Sequence, residues 1–217
     1  MKELGQICTP DIRFSYLSKK DSISIGLPGE QHKSITLEEY YEEVSCINLH
    51  ESVSRLVQDQ FDIAKNTALY AWFVWEFFDL AAHKALDCFE LALKDLLAKA
   101  KTAGHNVTIS PDKATLPPLI NCAVKLGILK EERKESKSCR IEGCNRKGKD
   151  IRCCNKGISC PEKYITVASY LLWLRNHFSH AHHWVTGTDA LRVMQQCADI
   201  ISAMYTGETF SNYNNGW

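Results

Sequence analysis

The sequence carries no net charge, since 26 Lys and Arg residues balance 26 Asp and Glu residues. A neutral chain creates no global field that attracts polyanions, so any nucleic-acid-binding site has to arise from a local cluster. The first twenty residues also lack an apolar run of signal-peptide length. The most apolar stretch, TALYAWFVWEFFDLAA, contains Glu76 and Asp79 and is short for a membrane span. These absences predict a cytoplasmic protein.

Glycine and proline are both missing between Gly29 and Gly104, so no helix-breaking residue interrupts this long segment. Thr36 and Glu39 form a capping-box pattern that predicts a helix start. Apolar residues recur at intervals of three and four, which is helical periodicity. A first set consists of Val53, Leu56, Val57, Phe61, Ala64, Ala68, Ala71, Trp72 and Trp75, and a second of Ala85, Cys88, Phe89, Ala92, Leu93, Leu96 and Leu97. Gly104 is expected to end the helix that contains the second set.

The C-terminal half predicts three further helices, of which the second is the apolar segment YITVASYLLWLRNHFSH after Pro161. Pro117 and Pro118 open one that runs to Gly127. Gly187 breaks the chain further on, and Thr188 is the expected cap of the last helix, DALRVMQQCADIISAMY.

These patterns together predict an all-α fold, a bundle of four to five main helices. A non-helical N-terminal arm covers residues 1–35, where the β-like run SISIGLP has no convincing partner strand. The helical domain covers residues 36–217 and is interrupted by an insertion at 130–163. In this insertion, apolar residues no longer recur at helical intervals.

Nine of the ten cysteines fall into two groups. Four lie inside apolar helical patterns and are expected to be buried thiols: Cys46, Cys88, Cys122 and Cys197. In the insertion, Cys139, Cys144, Cys153, Cys154 and Cys160 follow the spacing C-x4-C-x8-CC-x5-C, which lacks the paired CxxC units of a strong zinc motif. A structural zinc site with the ligands Cys139, Cys144, Cys153 and Cys160 is one reading, and a loop with free thiols is the other.

The insertion is also basic. Residues 130–163 contain eleven Lys or Arg and six Asp or Glu, a local charge of +5 that leaves −5 for the remainder. Such a segment attracts phosphates, and Arg146, Lys147 and Arg152 are candidate RNA contacts. It has no aromatic residue on which a base could stack, which argues against base-specific reading. A solvated loop without function fits the same composition.

The stretch LRNHFSHAHHW, from Leu174 to Trp184, holds four of the eight histidines. Asn176 and His180 stand four residues apart and would share one face of a helix, and the long Arg175 side chain can reach that face. A solvated helix face decorated with polar residues is the plain alternative.

This Arg-Asn-x3-His pattern lies in an apolar helix near the end of the chain, and one more amphipathic helix follows it. In this respect the chain resembles the HEPN superfamily (higher eukaryotes and prokaryotes nucleotide-binding) over residues 50–206. Many members of that family carry an Arg-x4-6-His motif with a polar residue after the arginine. The resemblance implies metal-independent RNA cleavage at a cleft between two protomers. One branch places a tyrosine two positions after the motif histidine, where this chain has His182.

The residue types suit that chemistry. Histidine transfers protons near neutral pH, which makes His180 the candidate acid or base, and the planar guanidinium of Arg175 matches phosphoryl oxygens. Asn176 would support either group. His177 and His182 are candidate RNA contacts, and a zinc site built from His177, His180, His182 and His183 has no nearby carboxylate or cysteine in the sequence. The resemblance also implies an acidic helper on an earlier helix, with Glu76, Asp79 and Asp87 as candidates.

Two functions from different classes follow. The first is an endoribonuclease that acts as a homodimer, needs no cofactor and belongs, by the resemblance, to a toxin–antitoxin or antiviral defence system with an antitoxin or other regulatory protein. The second is a non-catalytic HEPN-like module that binds a nucleotide, a nucleic acid or a partner protein.

Overall fold

The computed structural model describes residues 10–11, 14, 17–18, 24–25, 35–130, 175 and 186–209. Five helices lie in these ranges: α1 (Leu37–Ser45), α2 (Arg55–Tyr70), α3 (Phe77–Thr102), α4 (Leu116–Lys125) and α5 (Gly187–Thr206). The described part of the chain is an all-α bundle, which confirms the predicted fold class.

The 26-residue helix α3 is the centre of the bundle. Helices α2, α4 and α5 all pack against it, and α1 packs against α2. Alanines let neighbouring helices approach α3 closely, while Phe78, Phe89 and Leu93 fill the space between them. Residues on more than one side of α3 are buried: Phe78, Ala81, Ala82, Ala85, Leu86, Cys88, Phe89, Ala92, Leu93 and Leu97.

Several helix ends follow from local chemistry as predicted. In the capping box of α1, the Glu39 amide donates to Thr36 Oγ1 at 3.2 Å and the Thr36 amide donates to Glu39 Oε2 at 3.0 Å. Proline occupies the first turn of α4, where its missing N–H would have no helical partner. Gly104 follows α3 with φ +88° and Gly127 follows α4 with φ +70°, which is backbone geometry that favours glycine.

The long segment without glycine or proline is nevertheless broken. Residues 71–76 form tight turns between α2 and α3, with the Trp72 amide donating to the Leu69 carbonyl and the Phe73 amide to the Tyr70 carbonyl. The break lets α3 fold back against α2, so that both helices bury their apolar faces. One member of the first periodic set, Leu56, is 57% exposed and does not belong to the buried face.

Three other predictions are wrong, two about the start of α5 and one about Cys46. Thr186, and not Thr188, caps α5, and its hydroxyl accepts from the Asp189 amide at 3.2 Å. Gly187 does not break the chain but is the first residue of that helix. Cys46 is exposed because it caps the C-terminal end of α1, whereas Cys88, Cys122 and Cys197 are buried as expected.

The N-terminal arm contributes to the core. Phe14 is 2% exposed and lies among aromatic side chains of the bundle. Two short antiparallel strands, β1 (Leu17–Ser18) and β2 (Ser24–Ile25), pair in the register Leu17 to Ile25 and Ser18 to Ser24. The run SISIGLP therefore has a partner strand that the sequence analysis did not identify.

Among the helices of the described ranges, none is both long and apolar enough to cross a membrane. The prediction of cytoplasmic location is not tested by this finding.

Candidate functional site

The predicted reaction centre is only partly within the described residues. Arg175 is helical and exposed, so its guanidinium is open to solvent. The other members of the motif lie outside the described residues, together with its neighbours: Asn176, His177, His180, His182 and His183.

The predicted residues of the insertion also lie outside the described residues. They are the RNA-contact candidates Arg146, Lys147 and Arg152 and the zinc-ligand candidates Cys139, Cys144, Cys153 and Cys160. Within the described ranges, His, Cys, Asp and Glu side chains form no group of three or more that could hold a metal ion. The zinc assignment therefore stays a prediction.

The three candidate acidic residues are all described, and the structure separates them. Glu76 precedes the first residue of α3 and is exposed, and Asp87 lies on an exposed position of the same helix. Asp79 is different because it lies in the first turn of α3 at a partly buried position. Of the three, Asp79 alone is partly buried and has a buried carboxylate oxygen.

The Asp79 carboxyl has an unusual environment. Its Oδ1 atom is buried and has no hydrogen-bond partner among the residues that the structure describes. Burial raises the pKa of Asp79, the nearby His83 imidazole opposes that rise, and the Glu76 carboxylate adds to it. A carboxyl whose lone pairs are desolvated and unpaired is costly to keep in a fold, and such groups concentrate at functional sites.

His83 was not singled out by the sequence analysis, although its relation to Asp79 is visible in the sequence. The two residues are four positions apart on a helix and therefore share a face. An Asp-x3-His pair at a helix start could have been recognised as a candidate acid–base pair on that spacing.

The first turn of α3 packs against the start of α5. Gly187 approaches the Phe78 ring so closely that a Cβ atom there would lie 2.8 Å from Phe78 Cζ. Phe78 immediately precedes Asp79, and His180 precedes Thr186 by six residues in the sequence. The contact between Gly187 and Phe78 therefore joins two elements. One is the start of α5, which follows the motif in the sequence, and the other is the first turn of α3, which carries Asp79.

A second polar cluster joins three elements at the other end of α3. The Tyr205 hydroxyl of α5 donates to Asp95 Oδ2, and Lys99 Nζ lies 2.7 Å from the same oxygen. Ser54 Oγ, at the start of α2, lies 3.2 Å from the Tyr205 hydroxyl oxygen. The Lys99 ammonium also lies 5.2 Å from the centre of the Tyr205 ring. These contacts fasten α2, α3 and α5 to one another.

In comparisons with family models, curated proteins and solved structures, no match to this chain was found. The assignment of function therefore depends on the residues of the chain itself.

Proposed function

We propose that this protein is a metal-independent endoribonuclease of HEPN type that acts as a homodimer. The observation that supports it most is the Arg-Asn-x3-His pattern, of which Arg175 is helical and exposed, near the end of an all-α bundle. The defence or toxin setting, with a neutralising partner protein, belongs to the same proposal and comes from the family resemblance.

The proposed reaction is an internal transfer followed by release of the downstream RNA. The ribose 2′-hydroxyl loses its proton to a base and its oxygen bonds to the adjacent phosphorus, while the bond from phosphorus to the 5′-oxygen breaks. The 5′-oxygen takes up a proton, which leaves one end as a 2′,3′-cyclic phosphate and the other as a 5′-hydroxyl. His180 moves one of these protons. Arg175 donates to the phosphoryl oxygens as their negative charge grows, and Asn176 supports this pair.

We assign the role of acidic helper to Asp79. Its unpartnered Oδ1 and its raised pKa favour it over the exposed Glu76 and Asp87. A carboxyl with a free lone pair can accept from an imidazole N–H and fix the ring's tautomer and orientation. In this role Asp79 would position the catalytic histidine, His180, and would not contact the RNA.

A single copy of the motif supplies one essential histidine, whereas the reaction moves two protons. Two protomers related by a twofold axis would bring two copies of the motif to one site. The charge of +5 in residues 130–163 would hold the RNA backbone near that site, with Arg146, Lys147 and Arg152 as contacts.

Incubation of the full-length protein with structured and unstructured RNA in EDTA tests this proposal. Wild type is expected to cut RNA and leave 2′,3′-cyclic phosphate ends. Arg175→Ala and His180→Ala are each expected to lower the cleavage rate by roughly 10²-fold or more, since each removes an electrostatic or acid–base contribution of about that size. Asp79→Asn should reduce the rate less, because it keeps the shape of the side chain.

Arg55→Ala is a matched control, because Arg55 is also an exposed helical arginine, in an ion pair with Asp59 at 2.8 Å. It should cut RNA at the wild-type rate. Cleavage that stops in EDTA, or that survives in His180→Ala, would contradict the proposed chemistry.

A binding module without catalysis is the second candidate, and one surface observation favours it. Leu56, Ile63 and Tyr70 of α2 are 57%, 44% and 60% exposed, and their seven-residue spacing places them along one side of the helix. An exposed apolar row of this kind is typical of protein-binding surfaces. RNA left intact by a wild-type dimer under varied conditions would favour this function over the nuclease.

A further inference from the structure

Among the described residues of the N-terminal arm, Phe14 is a buried aromatic side chain that packs on the bundle. Phe14 is 2% exposed, whereas Pro10 is exposed and Asp11 is partly buried. The Asp11 amide donates to the Trp72 carbonyl at 2.7 Å, which holds the arm against the turn between α2 and α3. The described contacts of the arm therefore concentrate on that turn.

Among the described residues, four aromatic side chains lie around Phe14. Its ring centre lies 5.3 Å from that of Tyr40, 4.6 Å from that of Trp72, 5.2 Å from that of Trp75 and 6.0 Å from that of Phe78. The contacts with Tyr40 and Trp75 are edge-to-face, a geometry that aromatic rings favour. We call the space between these four side chains the aromatic pocket.

The walls of the aromatic pocket support one another without Phe14. Tyr40 stacks on Trp72 at 5.7 Å, and Trp75 meets Phe78 edge-to-face at 5.0 Å. The Tyr40 hydroxyl donates to the Ala68 carbonyl of α2 at 2.5 Å, which fixes this wall on the bundle. All four walls belong to α1, the turn at 71–76 and α3, so the bundle can keep the pocket when the arm is absent.

We propose that the aromatic pocket is a peptide-binding site whose resident ligand is the chain's own segment at Asp11 and Phe14, which a second phenylalanine-bearing segment can displace. The pocket is lined by rigid aromatic rings and admits one phenyl ring, while the Trp72 carbonyl accepts from the backbone of the bound segment. It would recognise a short segment that turns ahead of one phenylalanine anchor, as the Phe14 amide does when it donates to the Asp11 carbonyl at 3.0 Å. This inference goes beyond RNA cleavage and does not depend on it.

Release of the arm would also change the packing at the start of α5. Phe78 is a wall of the aromatic pocket, and its ring packs against Gly187. When Phe14 leaves, the Phe78 ring gains room to move away from Gly187. The occupied and empty pockets would therefore differ at the first turn of α3 and at the start of α5.

A peptide titration tests the proposal. The peptide PDIRFSYLS, which corresponds to residues 10–18, is added to full-length Phe14→Ala, and binding is measured by calorimetry. We expect binding to this variant and at least about tenfold weaker binding to wild type, because the resident arm leaves only a small fraction of wild-type pockets open. The same peptide with alanine in place of phenylalanine should not bind either protein.

Controls separate the pocket from the rest of the surface. In the Phe14→Ala background, Trp75→Ala should abolish peptide binding, whereas Lys101→Ala, at an exposed site in the last turn of α3, should leave it unchanged. If Phe14→Ala does not fold, Phe14→Leu replaces it and is still expected to bind the peptide more tightly than wild type. Equal affinity of the peptide for wild type and variant, or no binding to a folded variant, would overturn the proposal.

Discussion

At the scale of single residues, Gly187 shows how one missing side chain fixes a helix contact. It is the buried first residue of α5, and it lies where any Cβ atom would overlap the Phe78 ring. That ring is itself fully buried and in contact with Tyr40, Trp75 and Phe14, so it has little room to yield. Close approach of α3 and α5 therefore requires glycine at this position.

We expect Gly187→Ala to destabilise the protein by about 1–3 kcal/mol, the usual cost of overpacking a core. The backbone there has ordinary helical geometry, so the loss would come from the overlap with Phe78 and not from strain. The measurement is the free energy of unfolding in urea. Adding Phe78→Leu should cost less in the Gly187→Ala background than in wild type, and additive losses would show that the overlap is not the cause.

Asp95 provides a pH-dependent prediction. Burial raises the pKa of Asp95, but hydrogen bonds from Lys99, Tyr205 and Ser54 outweigh it, and the pKa is lowered overall. Because the folded-state pKa lies below that of the unfolded chain, about 3.9, the contribution of Asp95 to stability is present above that pH. It is lost as the pH falls through the folded-state value.

The measurement for Asp95 is the free energy of unfolding at several pH values between 3 and 7. Asp95→Asn should reduce the stability at pH 7, and its stability should fall less than that of wild type on acidification. Tyr205→Phe removes one donor to Asp95 and should cost about 1 kcal/mol at neutral pH. Parallel pH curves for wild type and Asp95→Asn would contradict this account.

At the scale of elements, helix ends differ in how they are capped. Thr36 at the start of α1 takes part in a reciprocal capping box, whereas Thr115 at the start of α4 makes no side-chain capping bond. The residue type is the same at both positions. A comparison of Thr36 with Thr115 therefore separates the effect of the capping bond from the effect of the threonine side chain itself.

Thr36→Ala should lower the free energy of unfolding by about 1 kcal/mol, because it leaves the Glu39 amide without its acceptor. Thr115→Ala, at an exposed position with no capping bond to lose, should change it by less than about 0.5 kcal/mol. Urea denaturation of the two variants measures the difference. Similar losses in both would show that the capping box contributes nothing specific to α1.

At the scale of the whole molecule, the packing of α3 against α5 decides which thiols are accessible. Cys88 and Cys197 lie in the core, and burial raises the pKa of both thiols, that of Cys88 to about 12. The exposed Cys46 lies at the end of α1. Since the thiolate is the reactive form, burial protects the core thiols twice, by blocking access and by keeping them protonated.

Brief alkylation of the native protein with iodoacetamide at neutral pH, followed by peptide mapping, should label Cys46 and spare Cys88, Cys122 and Cys197. All four should react after unfolding in denaturant. Cys46→Ser is the control that removes the labelled peptide without affecting the core. Rapid labelling of Cys88 or Cys197 in the native state would show that the bundle opens between α3 and α5.

Much of the helical architecture could be predicted locally. Helical periodicity, the capping box at Thr36 and the terminating Gly104 and Gly127 are properties of short segments, and the structure confirms each of them. The break at residues 71–76 could not be predicted in this way, because it has no glycine or proline and arises from the packing of α2 on α3.

The candidate site likewise has a part that the sequence determines and a part that the tertiary structure determines. The Arg-Asn-x3-His pattern is a property of sequence, since the chemistry of a guanidinium and an imidazole is set by residue type and spacing, and its function stays a prediction. The choice of Asp79 among three acidic residues came from tertiary structure, because burial of Oδ1 depends on neighbours distant in the chain. The insertion of Phe14 among Tyr40, Trp72, Trp75 and Phe78 was likewise decided by packing, since no local rule determines which surface an arm covers.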